Sequence, residues 1–225
     1  MKLRIASYNI RNGQDVHHNM SLLAFDLRLV KADVVGLQEV DVGTARVGGR
    51  DTLAELVACT KEDGLSYCRF CRAIDFAGGM YGTAILSRFP ILCFEIIMLP
   101  TPAGCEDRAV GHAVLDINGT HVDFFNTHLT YESAALRKPQ FDVLSALTEK
   151  SSSWILTGDF NTADLSCFSV FRDASIANPG RYATFPASGE GIDNIVCSAD
   201  RHITNTGTLQ NHHSDHLLLW AETEQ

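Results

Sequence analysis

The chain has 225 residues, 45% hydrophobic and 20% charged, with a formal net charge of −9. That mix excludes a disordered chain, and no apolar run reaches the roughly 18 residues a membrane-crossing helix needs. The acidic balance argues against a broad basic face gripping nucleic acid by phosphate neutralisation. It leaves phosphate chemistry open, because a bound divalent metal supplies positive charge locally.

The length suits a single domain spanning 1–225. Leu3–Ile10 alternates apolar and polar residues and predicts a half-buried strand, so the start lacks the apolar core of a signal peptide. The seven cysteines are an odd number, which favours free thiols and a cytoplasmic setting. Cys68 and Cys71 form a lone CxxC without a second pair and are read as ordinary thiols rather than a zinc site. Asn19 opens a helix whose expected apolar face is Leu22, Leu23, Phe25 and Leu29, and Ala32–Gln38 reads as a buried strand. A Gly-rich loop carrying Arg46 and Arg50 precedes a short helix over Leu53–Cys59. Strands are predicted at Ser66–Ala73, Thr83–Ser87, Ile91–Met98, Ala109–Ile117 and Val122–His128, with Asn118-Gly119 a two-residue hairpin turn between the last two.

A helix fits Ser133–Lys150, with Leu136, Val143, Leu144 and Leu147 on one face, and Trp154–Thr157 follows as a strand. Beyond a short helix at Leu165–Arg172 and a Gly- and Pro-containing loop at 178–191, three strands fit Asp193–Ser198, Ile203–Leu209 and His216–Ala221. Many strands with few helices and no steady βαβ alternation predict an α+β fold of two face-to-face sheets with helices outside.

Strands end repeatedly in chemically active residues: Asn9, Gln38-Glu39, Asn126-Thr-His128, and Asp159-Phe-Asn161. Another strand begins at Asp193-Asn194, and Ser214-Asp215-His216 precedes the last. Each cluster alone suits a turn or a cap. Six together, in this order, predict that the strand ends meet at one site.

These words resemble the endonuclease/exonuclease/phosphatase superfamily, with its DNase I-like four-layered α/β sandwich. The match runs through Ser7-Tyr-Asn-Ile, Leu37-Gln-Glu-Val-Asp, Tyr81-Gly-Thr-Ala-Ile-Leu-Ser-Arg-Phe-Pro, Glu106-Asp-Arg, Asn126-Thr-His-Leu, Gly158-Asp-Phe-Asn, Ile192-Asp-Asn-Ile and Ser214-Asp-His. The resemblance implies two mixed sheets and a metal-dependent phosphoesterase. Glu39 would be the principal metal ligand, with Asn9 and Asp215 adjacent; such oxygen donors suit Mg²⁺ or Mn²⁺. His216 would be the general base, its tautomer fixed by Asp193. Asp159 would orient or deprotonate the attacking water, leaving the choice of base between Asp159 and His216 open. Asn161 would hold a phosphate oxygen, and His128 would donate to the non-bridging oxygens. Arg108 and Tyr81 are the expected substrate-binding residues. Arg46 and Arg50 either reach substrate or lie in a solvated loop, while Arg88 and Pro90 are read as structural. Relatives often carry Arg or Lys just before the Ile-Asp pair, where this chain has Gly191.

The expected substrate is a small-molecule or lipid-headgroup phosphodiester or phosphomonoester. DNA or RNA is the alternative, and a catalytically inactive binding module on the same fold is the rival from another class.

Overall fold

The computed structural model describes residues 2–225. In chain order its elements are β1 (Lys2–Asn9), α1 (Met20–Val30), β2 (Val34–Val42), α2 (Thr52–Thr60), β3 (Tyr67–Phe76), β4 (Gly79–Ser87), β5 (Ile91–Met98) and β6 (Ala109–Ile117). They continue with β7 (Thr120–His128), α3 (Ala134–Thr148), β8 (Trp154–Asp159), β9 (Ser175–Ile176), β10 (Asp193–Cys197), β11 (His202–Leu209) and β12 (Leu218–Glu224). Short 3-10 turns fill several connections, including Leu165–Val170, where the sequence suggested a helix.

The strands form two six-stranded sheets, ordered β11-β12-β1-β2-β4-β3 and β5-β6-β7-β8-β10-β9. Each has one parallel pair at its centre, β1 with β2 and β7 with β8, flanked by antiparallel partners. Both sheets are therefore mixed, as expected. Alternation along the strands divides the apolar residues among three cores. Leu3, Ile5, Val34, Ile85, Leu115, Phe124, Ile155 and Leu219 fill the space between the sheets. Ala6, Tyr8, Val35 and Leu37 turn to the other face of the first sheet and pack with Leu23 and Leu27 of α1 and Leu56 of α2. On the far side, Val110, Phe125, Leu156 and Val196 pack with Phe141 and Leu144 of α3. Three cores separate four layers, in the order helices, sheet, sheet, helix.

The β6–β7 hairpin closes with Ile117 opposite Thr120, and both turn residues, Asn118 (φ 55°) and Gly119 (φ 87°), are left-handed as a type I′ turn requires. Helix α1 departs from expectation. Its buried stripe is Met20, Leu23, Ala24, Asp26, Leu27 and Val30. Leu22, Phe25 and Leu29 stay 37%, 45% and 51% exposed. The stripe follows the i, i+3, i+4, i+7 spacing that starts two residues earlier, at Met20. It also admits an acid that hydrophobicity alone excludes. Similarly, α3 buries Phe141 and Gln140, which the predicted face omitted. β9 was not anticipated, being only two residues long.

Candidate active site

The parallel strands β1, β2, β7 and β8 all end at one rim of the sandwich, delivering Asn9, Glu39, His128 and Asp159. Register does the rest. His128 lies opposite Asp159 across the β7–β8 pair, and Asp193 lies opposite Asp159 across the β8–β10 pair. Directly opposed residues share a face, so three active groups from remote sequence positions converge. Asp215 and His216 arrive from the loop before β12, which starts two residues later than expected. Glu39 stands in a bulge, where pairing with β4 slips between Leu37 and Val40, and it adopts a left-handed backbone (φ 55°). Asn161 is left-handed too (φ 52°). Such conformations cost about 1–3 kcal/mol each and cluster at functional sites.

A cavity of about 300 Å³ is lined by Glu39, Tyr81, Arg108, His128, Asp159, Asn161, Asp215 and His216, all singled out in the sequence. Glu106, Tyr131, Phe185 and Ile192 also line it. Of these, Tyr131 lies two residues past the Asn126-Thr-His-Leu word, whereas Phe185 lies in an irregular loop with no pattern to reveal it. Its ring packs on His216 at 4.8 Å.

Asp193 Oδ2 lies 2.9 Å from His216 Nδ1, and both groups are buried. Asp159 Oδ2 lies 3.6 Å from His216 Nε2 and 3.5 Å from His128 Nε2. Burial alone would lower the His216 pKa, but Asp193, Asp159 and Asp215 outweigh it and push it up to about 10. Burial and the adjacent Asp193 hold the Asp159 carboxyl well above the usual carboxylate range. His128 goes the other way, kept neutral by burial and by the positive charges of Arg108 and His216.

Asn9, the expected neighbour of the metal, donates Nδ2 to Glu39 Oε1 (3.0 Å) and Asp159 Oδ2 (3.1 Å). Its Oδ1 accepts from the Arg11 backbone N–H at 3.0 Å, so ligation through that oxygen requires the amide to turn. Asn161 donates its backbone N–H to Asp159 Oδ1 and its Nδ2 to the Leu129 carbonyl, both at 2.9 Å. Arg108 is only 4% exposed, its Nη1 2.9 Å from Glu106 Oε1. Tyr81 is buried beneath Arg46, whose guanidinium lies 5.0 Å from the ring centre.

A divalent cation fits this donor set. Burial, and next the Asp215 charge, work to raise the Glu39 carboxyl, while the Asn9 hydrogen bond opposes them. Asp193 Oδ1 is buried without a hydrogen-bond partner. Among the described residues, Asp159, Asp193 and His216 hold their ligand atoms within 4.8 Å of one another. Ligation there would compete with the Asp193–His216 pair; Glu39 and Asp215 border the same cavity without that conflict.

Other sequence candidates are engaged in contacts of their own. Gln38 donates Nε2 to Asn126 Oδ1 (2.7 Å), and Asn126 donates Nδ2 to the Leu37 and Ala84 carbonyls (2.8 and 2.9 Å). These buried amides bolt the two sheets together beneath the cavity. Gly36 makes room for them, since a Cβ there would meet Thr157 Oγ1 at 2.0 Å and Asn126 Oδ1 at 2.4 Å. Arg46 grips buried Asp41 with two donors, at 2.6 and 2.7 Å, and Arg50 pairs with Glu55. Gly191 has no space for a side chain: a Cβ would meet the Tyr182 carbonyl at 2.4 Å and Asn178 Nδ2 at 2.7 Å.

A two-sheet sandwich that gathers carboxylates, amides and histidines at one rim defines a hydrolytic site suited to phosphate esters. The family model described as "Endonuclease/Exonuclease/phosphatase family" matches residues 6–216. The chain belongs to that family and with it to the metal-dependent phosphoesterases. Solved structures agree on the fold. A Beutenbergia cavernae endonuclease/exonuclease/phosphatase aligns at TM-score 0.84 and 19% identity, covering 99% of this chain and 71% of that one. A Bacteroides thetaiotaomicron mannosyl-6-phosphatase aligns at 0.71 and 19%, covering 99% and 100%. D. rerio TDP2 complexed with single-strand DNA product aligns at 0.72 and 21%, covering 100% and 99%. No curated protein matches the sequence.

Proposed function

We propose that this protein hydrolyses a phosphate ester of a small molecule or lipid headgroup, using Mg²⁺ or Mn²⁺ held by Glu39 and Asp215 beside Asn9. The carrying observation is the charge around the cavity. Arg108 is the only Lys or Arg among its lining residues, and it is already paired with Glu106. Nearby arginines are also engaged: Arg11 with Asp15 and Asp215, Arg46 with Asp41, and Arg50 with Glu55. One phosphate finds a cationic partner here, whereas the flanking phosphates of a polynucleotide find few.

A bound dication would neutralise charge on the phosphate and stabilise the leaving oxygen. The protein's own groups divide the remaining work. Asp193 fixes His216 through Nδ1, so that Nε2 faces the reacting phosphate as a charged donor. His128, held neutral, offers Nε2 to a non-bridging oxygen. Asp159 sits between the two imidazoles and takes the proton of the attacking water, while Asn161 orients its carboxylate from behind. This reading gives the base role to Asp159, because a His216 kept protonated by three carboxylates is a poor acceptor. All seven cysteines are free, which fits a reducing cytoplasm. No helix is long and apolar enough to cross a membrane among the described residues.

Nucleic acid is the second reading, supported by the TDP2 neighbour with its single-strand DNA product. A metal-supplemented panel of aryl phosphodiesters, nucleotides, sugar phosphates, phospholipid headgroups and plasmid or single-stranded DNA decides between them. Hydrolysis of small esters that vanishes in chelator supports the first reading. Efficient cleavage of DNA with little small-ester turnover supports the second, and no turnover of any ester supports an inactive binding module.

A further inference from the structure

The loop carrying Asp215 and His216 runs from Gln210 to Leu217, between β11 and β12, with no regular structure of its own. Ordered side chains in such a loop need tethers. One is Ser214, whose Oγ donates to the Asn9 carbonyl at 2.8 Å and lies 3.4 Å from the His216 N–H. Another is the Leu217 N–H, which donates to the Thr184 carbonyl at 2.8 Å. The third reaches across the molecule: His213 Nδ1 lies 3.0 Å from both carboxylate oxygens of Asp26 on α1. Tyr8 donates its hydroxyl to Asp26 Oδ2 at 3.1 Å, and the next residue along β1 is Asn9.

Asp26 is only 1% exposed and sits in the buried stripe of α1 among Leu23, Ala24, Leu27 and Val30. A buried carboxylate is costly, and an apolar residue of similar volume usually serves a helix–sheet contact better. An acid here therefore contributes something other than packing. We infer that Asp26 and His213 form a latch that positions the Asp215–His216 loop for catalysis. Neither residue reaches the cavity, so both act as positioning residues. Asp26 takes hold of the loop two residues before Asp215, and through Tyr8 it also braces the strand end that presents Asn9. The metal-facing and phosphate-facing groups of the two elements are thereby kept in mutual register. The inference rests on the proposed phosphoesterase reading of the site.

The test compares the full-length protein with Asp26→Leu, His213→Ala and His213→Asn. It reads kcat and KM on an aryl phosphodiester, Mn²⁺ affinity by water-proton relaxation without substrate, hydrogen exchange of the 210–217 amides, and the thermal midpoint. The expected result for Asp26→Leu and His213→Ala is a kcat lower by about tenfold to a hundredfold with KM nearly unchanged, as small misplacements of reacting groups produce. Mn²⁺ binding weakens and the loop amides exchange faster. The midpoint of Asp26→Leu falls, because the buried Tyr8 hydroxyl and His213 lose their partner, so the stability cost is told apart from positioning by the conservative variant. His213→Asn, whose Nδ2 can take the place of the imidazole Nδ1, recovers most of the loss. Wild-type kcat and loop exchange in both disruptive variants overturn the latch. So does a kcat loss that tracks a falling midpoint and is not recovered by His213→Asn. If the unmodified protein turns over no ester, the functional reading has failed, and loop exchange and Mn²⁺ affinity still decide the latch.

Discussion

Replacing Asp193 by Asn keeps the shape of the buried pair and removes its charge. In the native site the imidazolium of His216 is favoured strongly enough to move its pKa from 6.5 to about 10. At about 1.4 kcal/mol per tenfold change, that is roughly 5 kcal/mol, net of the opposing cost of burial. Asp193 is the largest contributor, ahead of Asp159 and Asp215, and it alone holds Nδ1, at 2.9 Å. Removing the Asp193 charge therefore leaves His216 titrating well below 10 in Asp193→Asn, with a weaker preference for the charged donor. An Asn at this position also offers either an oxygen or an amide to Nδ1, so the tautomer is no longer enforced. The expected outcome is a fall in kcat of at least about a hundredfold on an aryl phosphodiester at saturating metal. In the same variant, the His216 ring resonances should titrate at lower pH in a chelated NMR sample. An unshifted His216 titration together with wild-type kcat would refute the pairing as the source of either effect.

Three further outcomes follow from the same geometry. His128→Ala removes a neutral donor aimed at the phosphate and should lower kcat about a hundredfold, or roughly 3 kcal/mol, while leaving the thermal midpoint close to wild type; an unchanged kcat would discard that role. In chelator, stability should fall as pH rises. Asp159 and His216 both have folded pKa values above their unfolded ones. The folded state therefore binds more protons than the unfolded state, from above the ordinary carboxylate value near 3.8 up to about 10. The His216 contribution is complete below 6.5 and is lost as pH climbs toward 10. A midpoint measured by differential scanning fluorimetry that is flat from pH 6 to 10 would contradict this. Gly191→Arg, which installs a cation where a Cβ already meets the Tyr182 carbonyl at 2.4 Å, should cost about 1–3 kcal/mol by overpacking and gain no activity; a stable, faster variant would show that the Asn178–Tyr182 loop yields easily.

Much of the site was legible because residue words at strand ends survive folding as neighbours. Strand ends are short, and parallel pairing sends successive ends to the same rim. Glu39, His128, Asp159, Asp193, Asp215 and His216 were all identifiable before any coordinates, and they line or border one cavity. Gln38 and Asn126 look equally reactive in sequence, yet they hold the sheets together. Their different fate depends on depth: Asn126 shares the face of His128 but lies two residues further down β7, and the bulge in β2 carries Glu39 to the rim while Gln38 stays buried between the sheets.

The sequence by itself determined most of the elements, the α+β class and the chemical inventory, since period-2 alternation, an Asn-Gly turn and strand-end acids are local properties. Only the tertiary structure decided which acids share a proton environment. Asp159 and Asp193 are 34 positions apart and become direct partners through β-sheet register. The same long-range geometry pairs Asp26 with His213, turns the face of α1 by one position, and closes the space beside Gly191. Burial, register and the electrostatics of neighbouring charges arise when distant segments pack, so local pattern carries no record of them.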